Sequence, residues 1–157
     1  MDKLEISSPA FQNEGQIPIK HTGFGEDLSP ELYIGNLSGD AVSLAVVMED
    51  LDVPFLKSFP HWVIWNIPPL DAIPEGVPAG KKVDSLGGAV QGAAFGKNCY
   101  RGPKQPPFIK SAHRYMFSVY ALDIKLSLPP TAGKDGLMRA MLSHIIQEGS
   151  ITGVYKP

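Results

Sequence analysis

A single cysteine, Cys99, stands in the chain, which excludes an internal disulfide framework and a thiolate-rich zinc site. Nowhere is there an apolar run of the roughly 18 residues that a membrane-spanning helix needs. An excess of one charge is also missing. Fourteen Lys and Arg face 16 Asp and Glu for a net −2, spread along the length, so no polyanion such as nucleic acid is an expected partner. The opening Met-Asp-Lys-Leu-Glu-Ile carries charges where a secretion leader needs an apolar core. With no lipidation signal and no basic amphipathic helix, these absences predict a cytoplasmic protein without stable membrane association. What is abundant is glycine and proline, 16 and 15 of 157 residues, and these predict many short elements and turns rather than a helical bundle. There are no repeats or low-complexity tracts, and residues 1–157 read as one domain.

The strand signals are local. Leu4 to Ser7 alternates and stops at Pro9; Ile17-Pro18-Ile19 reads as an edge strand, since proline cannot donate to a ladder. Ser29 to Ile34 is a strand entered through Pro30. Ala41 to Met48 is a near-continuous apolar run, the pattern of a central strand buried on both faces. His61 to Ile67 is aromatic and β-branched, and its period of two places His61, Val63, Trp65 and Ile67 on one face. Trp62 and Trp65 then point opposite ways, one into a core and the other free to line a pocket. Asp71 to Asn98 is loop-dominated with room for two short strands, and so long a connection in a small domain usually carries function. Arg114 to Leu122 is a clear strand with His113, Tyr115, Phe117 and Val119 on one face. Leu137, Met138, Met141, Leu142 and Ile145 recur at helical spacing, predicting an amphipathic helix over 135–147 ended by Gly149. Ile151 to Tyr155 closes the chain as a strand. The class is mostly β with one helix in the C-terminal part.

Two stretches carry chemistry. Met48 to Pro68 sets Asp50 and Asp52 at the end of the buried strand and delivers His61 at the mouth of the next. Ser111 to Tyr115 then offers His113 and a phenol. Taken singly, these are a turn pair of aspartates and two rim histidines. Jointly, two imidazoles, two carboxylates and a phenol on proline-stiffened loops suit an anion pocket, with the aspartates fixing the histidine tautomers. Bare carboxylates would repel phosphate by on the order of 1 kcal/mol per close contact, so they must pair with the histidines or face a ligand ammonium. The same groups are also donors a divalent metal accepts, although no close-set pair such as His-x-x-x-His occurs. His21 falls in a loop with no role, His144 on the border of the helix stripe as a buried structural residue, and Cys99 reads as an ordinary thiol. The glycines at 87, 88 and 92 lack the setting of a phosphate-cradling loop.

In combination, Asp50-Leu51-Asp52-Val53-Pro54, His61 to Pro68, Tyr100-Arg101-Gly102-Pro103, His113-Arg114-Tyr115 and Ala121-Leu122-Asp123 resemble the phosphatidylethanolamine-binding protein family. The likeness is to its short bacterial and archaeal branch, labelled Raf-kinase-inhibitor-like, and it runs from Ser8-Pro9-Ala10-Phe11 to Gly153-Val154-Tyr155. The resemblance implies a β-sandwich of a large antiparallel sheet on a smaller one, with one C-terminal-half helix and short peripheral helices. It also implies a pocket for phosphate or phosphoethanolamine-type head groups, bound by Asp50, Asp52, His61, Gly102, Pro103, His113 and Tyr115, and a cis Val53–Pro54 bond. The expected function is non-enzymatic binding of a small anion or phosphorylated ligand, with no cofactor, no metal and no catalytic residue. A regulatory protein partner and a homodimer are compatible with it. The alternative is a hydrolase or metal-dependent enzyme using the same residues. Removing His113 is expected to abolish binding with little change in melting temperature. Three departures from the family pattern mark the pocket rim. Leu51 replaces a proline, the connection from Gly102 to His113 is lengthened and lacks a glycine before His113, and Ala93-Ala94 stands where an asparagine precedes Phe95-Gly96.

Overall fold

The strand over Ser43–Asp50 is buried along its whole length, and the fold is built outward from it on both faces. In the computed structural model, which describes residues 2–157, the strands are β1 (Glu5–Ser7), β2 (Leu32–Gly35), β3 (Ser43–Asp50), β4 (Phe59–Ile67), β5 (Ala72–Ile73), β6 (Lys82–Val83), β7 (Ala89–Gln91), β8 (His113–Leu122) and β9 (Ile145–Tyr155), with one helix, α1 (Lys134–Met141). All strand pairs are antiparallel. They form a six-stranded sheet ordered β6-β7-β4-β3-β8-β9 and a three-stranded sheet ordered β1-β2-β5.

The period of two in β3 divides the core. Leu44, Val46 and Met48 face the small sheet and join Leu32, Ile34 and Ile73 there. Ala45 and Val47 face the other way and meet Leu137 and Met141 of α1. A central strand with helix on one side and sheet on the other has no solvent face, so it must be apolar at every position. Its last two residues, Glu49 and Asp50, are acidic and nonetheless buried. Each has a cationic or hydrogen-bonding partner, as buried charge requires: Lys134 Nζ lies 2.7 Å from Glu49, and Asp50 belongs to the site.

Several local expectations are corrected. Two β-bulges interrupt the pairing of β3 with β4, between Leu44 and Val46 and between Met48 and Glu49. Asn66 carries the first, at φ 57°, a left-handed conformation that asparagine tolerates better than branched residues. Its amide clamps Leu126, accepting from the backbone N–H at 2.8 Å and donating to the carbonyl at 2.9 Å. Ile67 is thereby turned to the sandwich core with Trp62 and Ile64, while Val63 and Trp65 pack toward the helix. The second bulge removes His61 from the face of Val63 and sets its ring edge-on to Tyr115, 5.5 Å between centroids. Both tryptophans are fully buried, on opposite faces of the sheet, so neither lines a pocket.

The helix ends at Met141, well short of residue 147. Ser143 adopts φ 75° and His144 N–H bonds back to the Met141 carbonyl at 2.8 Å, a reversal that sends Ile145 into β9 opposite Leu122. The apolar residues at 141, 142 and 145 therefore mix two periods. Gly149 does not stop a helix. It lies in mid-β9 opposite Val119, where a Cβ would collide with the Leu4 carbonyl. His144 is not buried on a helix stripe; it sits in the turn, 37% exposed, donating Nδ1–H to Asp123 at 2.8 Å. Ile17-Pro18-Ile19 is no strand either. Gln16 makes an isolated bridge to Val154, and Ile19–His21 is a 3₁₀ turn. The glycine-rich middle holds three short strands rather than two, β5 to β7, together with a 3₁₀ turn at Asp84–Leu86.

Candidate functional site

The C-terminal end of β3 and the starts of β4 and β8 lie side by side, with Asp50 opposite Phe59 on one flank and Tyr115 on the other. This register carries Asp50, His61, His113 and Tyr115 to the wall of one cleft of about 380 Å³. The pairing continues one residue beyond β3 because Leu51 N–H donates to the Arg114 carbonyl at 2.9 Å. A proline at 51 would have no such donor, so the departure from the family pattern here extends the ladder.

The two histidines are held alike. His61 Nδ1 lies 2.6 Å from the Arg101 carbonyl, which can only accept, so Nδ1 carries the proton. His113 Nδ1 lies 2.8 Å from Asp50 Oδ2 and donates to it. Neither Nε2 has a partner among the described residues, and neither is sealed from solvent. Burial pushes the His61 pKa down, partly offset by the Arg101 carbonyl and the Asp50 and Asp27 carboxylates, with the Arg101 guanidinium adding to the drop. Burial and the neighbouring Asp50 carboxylate hold the Tyr115 hydroxyl far above its ordinary range, so it stays a protonated donor.

The paired aspartates do not share a job. Asp50 is buried; its Oδ1 accepts Asp52 N–H at 2.8 Å while Oδ2 holds His113. Asp52 is turned outward. It accepts from Arg114 through the backbone N–H at 2.7 Å, Nε at 3.0 Å and a terminal nitrogen at 2.9 Å. The Arg114 guanidinium holds its carboxyl below the usual range. Asp52 does not line the cleft, and neither does Pro103. Pro103 accepts Gly23 N–H at 2.9 Å. Gly102 donates its N–H to Asp27 at 2.8 Å and borders an adjoining cleft shared with His61, Phe95, Lys104 and Gln105. These two residues seat the 101–103 segment that presents the Arg101 carbonyl to His61. No peptide bond among the described residues is cis, so Val53–Pro54 is trans, contrary to the expectation. Because the His113–Asp50 pair is buried on both sides, 7% and 6% exposed, removing His113 is expected to cost stability as well as binding.

Of the cleft residues outside the set read from the sequence, three are aromatic or polar groups beside its histidines: Phe95, Lys104 and Gln105. Phe95 sits with Gly96 in a two-residue turn, both at positive φ, closed by reciprocal bonds between Ala94 and Lys97 at 2.9 and 3.0 Å. The left-handed backbone lifts its ring edge-on to Phe59 and His61, at 4.7 and 4.9 Å, beneath the Arg101 guanidinium at 4.3 Å. Lys104 lines this cleft and the adjoining one. Gln105 is buried, with Nε2 given to the Tyr155 carbonyl at 3.1 Å and Oε1 unpartnered. The Phe-Gly pair was the one available signal; Lys104 and Gln105 reach the cleft only through the tertiary course of the 101–113 loop. Val53, Leu56, Phe59 and Ile109 supply apolar walls. Among the described residues, no three His, Cys, Asp or Glu side chains converge as a metal site.

The family model described as phosphatidylethanolamine-binding protein matches residues 7–156. A UPF0098 protein of Pyrococcus horikoshii is 43% identical over 154 residues, covering 98% of this chain and 76% of its own length. The crystal structure of a phosphatidylethanolamine-binding protein homolog from Chlamydia trachomatis superposes with a TM-score of 0.86 at 31% identity, over 100% of this chain and 99% of that one. YbcL of E. coli, described as a member of the mammalian family, gives the same TM-score at 25% identity over 99% of each chain. The sandwich, the strand register and these matches agree, and the chain belongs to the phosphatidylethanolamine-binding protein family.

Proposed function

We propose that the protein binds a small phosphate-bearing ligand, an inorganic phosphate or a phosphoethanolamine-type head group, without transforming it, and so serves as a binding or regulatory module. The carrying observation is that two imidazoles in one cleft have Nδ1 occupied and Nε2 open. When neutral, such a nitrogen accepts a proton from a ligand; when charged, it donates to one. A monoprotonated phosphate or a zwitterion supplies both kinds of partner. Tyr115 adds a fixed donor and Lys104 a cation, while buried Asp50 orients His113 and offsets its charge. The reading without turnover is supported by a cleft hydroxyl held protonated and a buried carboxylate engaged on both oxygens.

Calorimetric titration tests this. Phosphate and phosphoethanolamine should each bind one site per chain at pH 7. Sulfate, whose charge is constant across the range, should bind more tightly as the pH falls from about 8 to about 6. The sign follows from His61: burial lowers its pKa below 6.5 in the free protein, so at neutral pH it is uncharged, and an anion at its Nε2 must draw in a proton. Absence of saturable binding by any of the three, or sulfate affinity that rises with pH, would contradict the reading.

A further inference from the structure

The loops around the cleft carry a short sequence echo that no strand pattern explains. Pro54-Phe55-Leu56-Lys57-Ser58 and Pro107-Phe108-Ile109-Lys110-Ser111 match at four of five positions, too short to register as a repeat. They stand at the same cleft, with Leu56 and Ile109 both in its wall. Each phenylalanine points away from the protein: Phe55 is 105% exposed and Phe108 82%. A phenylalanine that packs on nothing adds nothing to the fold. At Phe55 the backbone is even held at φ 68°, a strained conformation for a bulky residue. Charge is sorted in the same place. Segments 53–61 and 93–113 contain Lys57, Lys97, Arg101, Lys104 and Lys110 and not one Asp or Glu, although the chain as a whole is net negative.

From this we infer that the cleft rim is an interfacial docking surface for an anionic lipid bilayer, with Phe55 and Phe108 entering the headgroup–acyl boundary and the lysines meeting acidic head groups. Separate aromatic tips, each with a lysine two residues on, suit a soft interface: the ring seats at the boundary while the lysine stem lies along it and its ammonium reaches the polar layer. An anionic leaflet attracts each basic residue near its surface. A protein partner would instead need a continuous patch of roughly 800 Å² per side, and here the exposed apolar groups are single rings on two separate loops. No helix of the described residues is long and apolar enough to cross a membrane, so the contact is peripheral and reversible, made by loops. The inference stands on the rim and does not require the ligand reading of the pocket.

Flotation with vesicles tests it. The full chain should float with vesicles of phosphatidylglycerol and phosphatidylcholine in equal parts, should do so less as salt is raised, and should stay behind with phosphatidylcholine alone. The double variant Phe55→Gly/Phe108→Ser should partition onto the acidic vesicles roughly tenfold more weakly or worse, while melting no lower than the parent and binding phosphoethanolamine as before. Failure of the parent to float with acidic vesicles, or equal flotation of the double variant, overturns the docking surface whether or not phosphoethanolamine binds. A parent dimer in solution that the double variant dissolves would assign the rim to a second copy of the chain, and would overturn the bilayer equally.

Discussion

Replacing His113 by alanine is expected to weaken phosphoethanolamine binding by roughly tenfold to a hundredfold, the worth of a hydrogen bond to a charged group, and also to lower the melting temperature. Both effects come from one geometry. His113 Nε2 is open to the cleft while Nδ1 is the side-chain partner of Asp50, a buried carboxylate. Without the imidazole, one Asp50 oxygen keeps the Asp52 amide and the other faces an emptied site. A buried charged group losing its partner costs about 2–3 kcal/mol, or roughly 5–10 °C for a domain of this size. His113→Asn separates the two roles. Its amide can still donate to Asp50 where Nδ1 did, so the melting temperature should recover most of the loss, while the ligand-facing nitrogen is gone and the affinity should not. Calorimetry with thermal melts on both variants checks this; unaltered affinity in His113→Ala would remove His113 from the binding role.

Gly102→Ala is the second large effect, and it acts through the fold rather than through contact with ligand. A Cβ at 102 would run into the His21 carbonyl and come within 2.7 Å of Asp27 Oδ1 and 2.9 Å of the Tyr100 hydroxyl. Those groups are the fastening of the segment. Gly102 N–H bonds to Asp27 and the Tyr100 hydroxyl donates to the His21 carbonyl at 2.7 Å. His21 itself, expected to be idle in a loop, is wholly buried with Nδ1 on the Leu28 carbonyl at 2.8 Å. Burial already pushes the Asp27 pKa up, and the Gly102 amide is the largest influence opposing it. Separating these partners should cost about 3 kcal/mol or more. It should weaken anion binding as well, because the Arg101 carbonyl that fixes the His61 tautomer is the next residue back. Urea unfolding measures it; a loss below about 1 kcal/mol would show that the segment yields freely and that the glycine is not required for close approach.

The long, strongly patterned strands were legible because their side chains answer to one constraint each. The apolar run before Glu49 could only be a strand covered on both faces, and the alternation from His113 onward placed Tyr115, Phe117 and Val119 on one side, as found. What escaped the pattern is backbone irregularity. Asn66 and Ser143 take left-handed conformations that shift the period, and these moved Ile67 to the other face and cut the helix after Met141. Neither shift leaves a trace in hydrophobicity. The site divides in the same way. His61, His113, Asp50 and Tyr115 sit at strand ends, where pairing register brings them together from far apart in the chain. Asp52 matched the motif equally well, yet it is drawn off by Arg114, whose backbone and side chain both meet it. Lys104 and Gln105 were invisible because a loop's course depends on what it packs against, here the Tyr155 carbonyl and the 21–27 turn, rather than on its own composition.

The central claim is that a phosphate-bearing ligand sits between the open nitrogens of His61 and His113. Nitrogen NMR of the imidazole rings reads those atoms directly, because protonation and hydrogen bonding at Nδ1 and Nε2 move separate signals. On titration with phosphoethanolamine, the Nε2 signals of His61 and His113 should shift together and saturate, with both Nδ1 atoms remaining protonated and with His21 and His144 unmoved. Saturating ligand that leaves both Nε2 signals in place, or that moves only His21 or His144, would contradict the account.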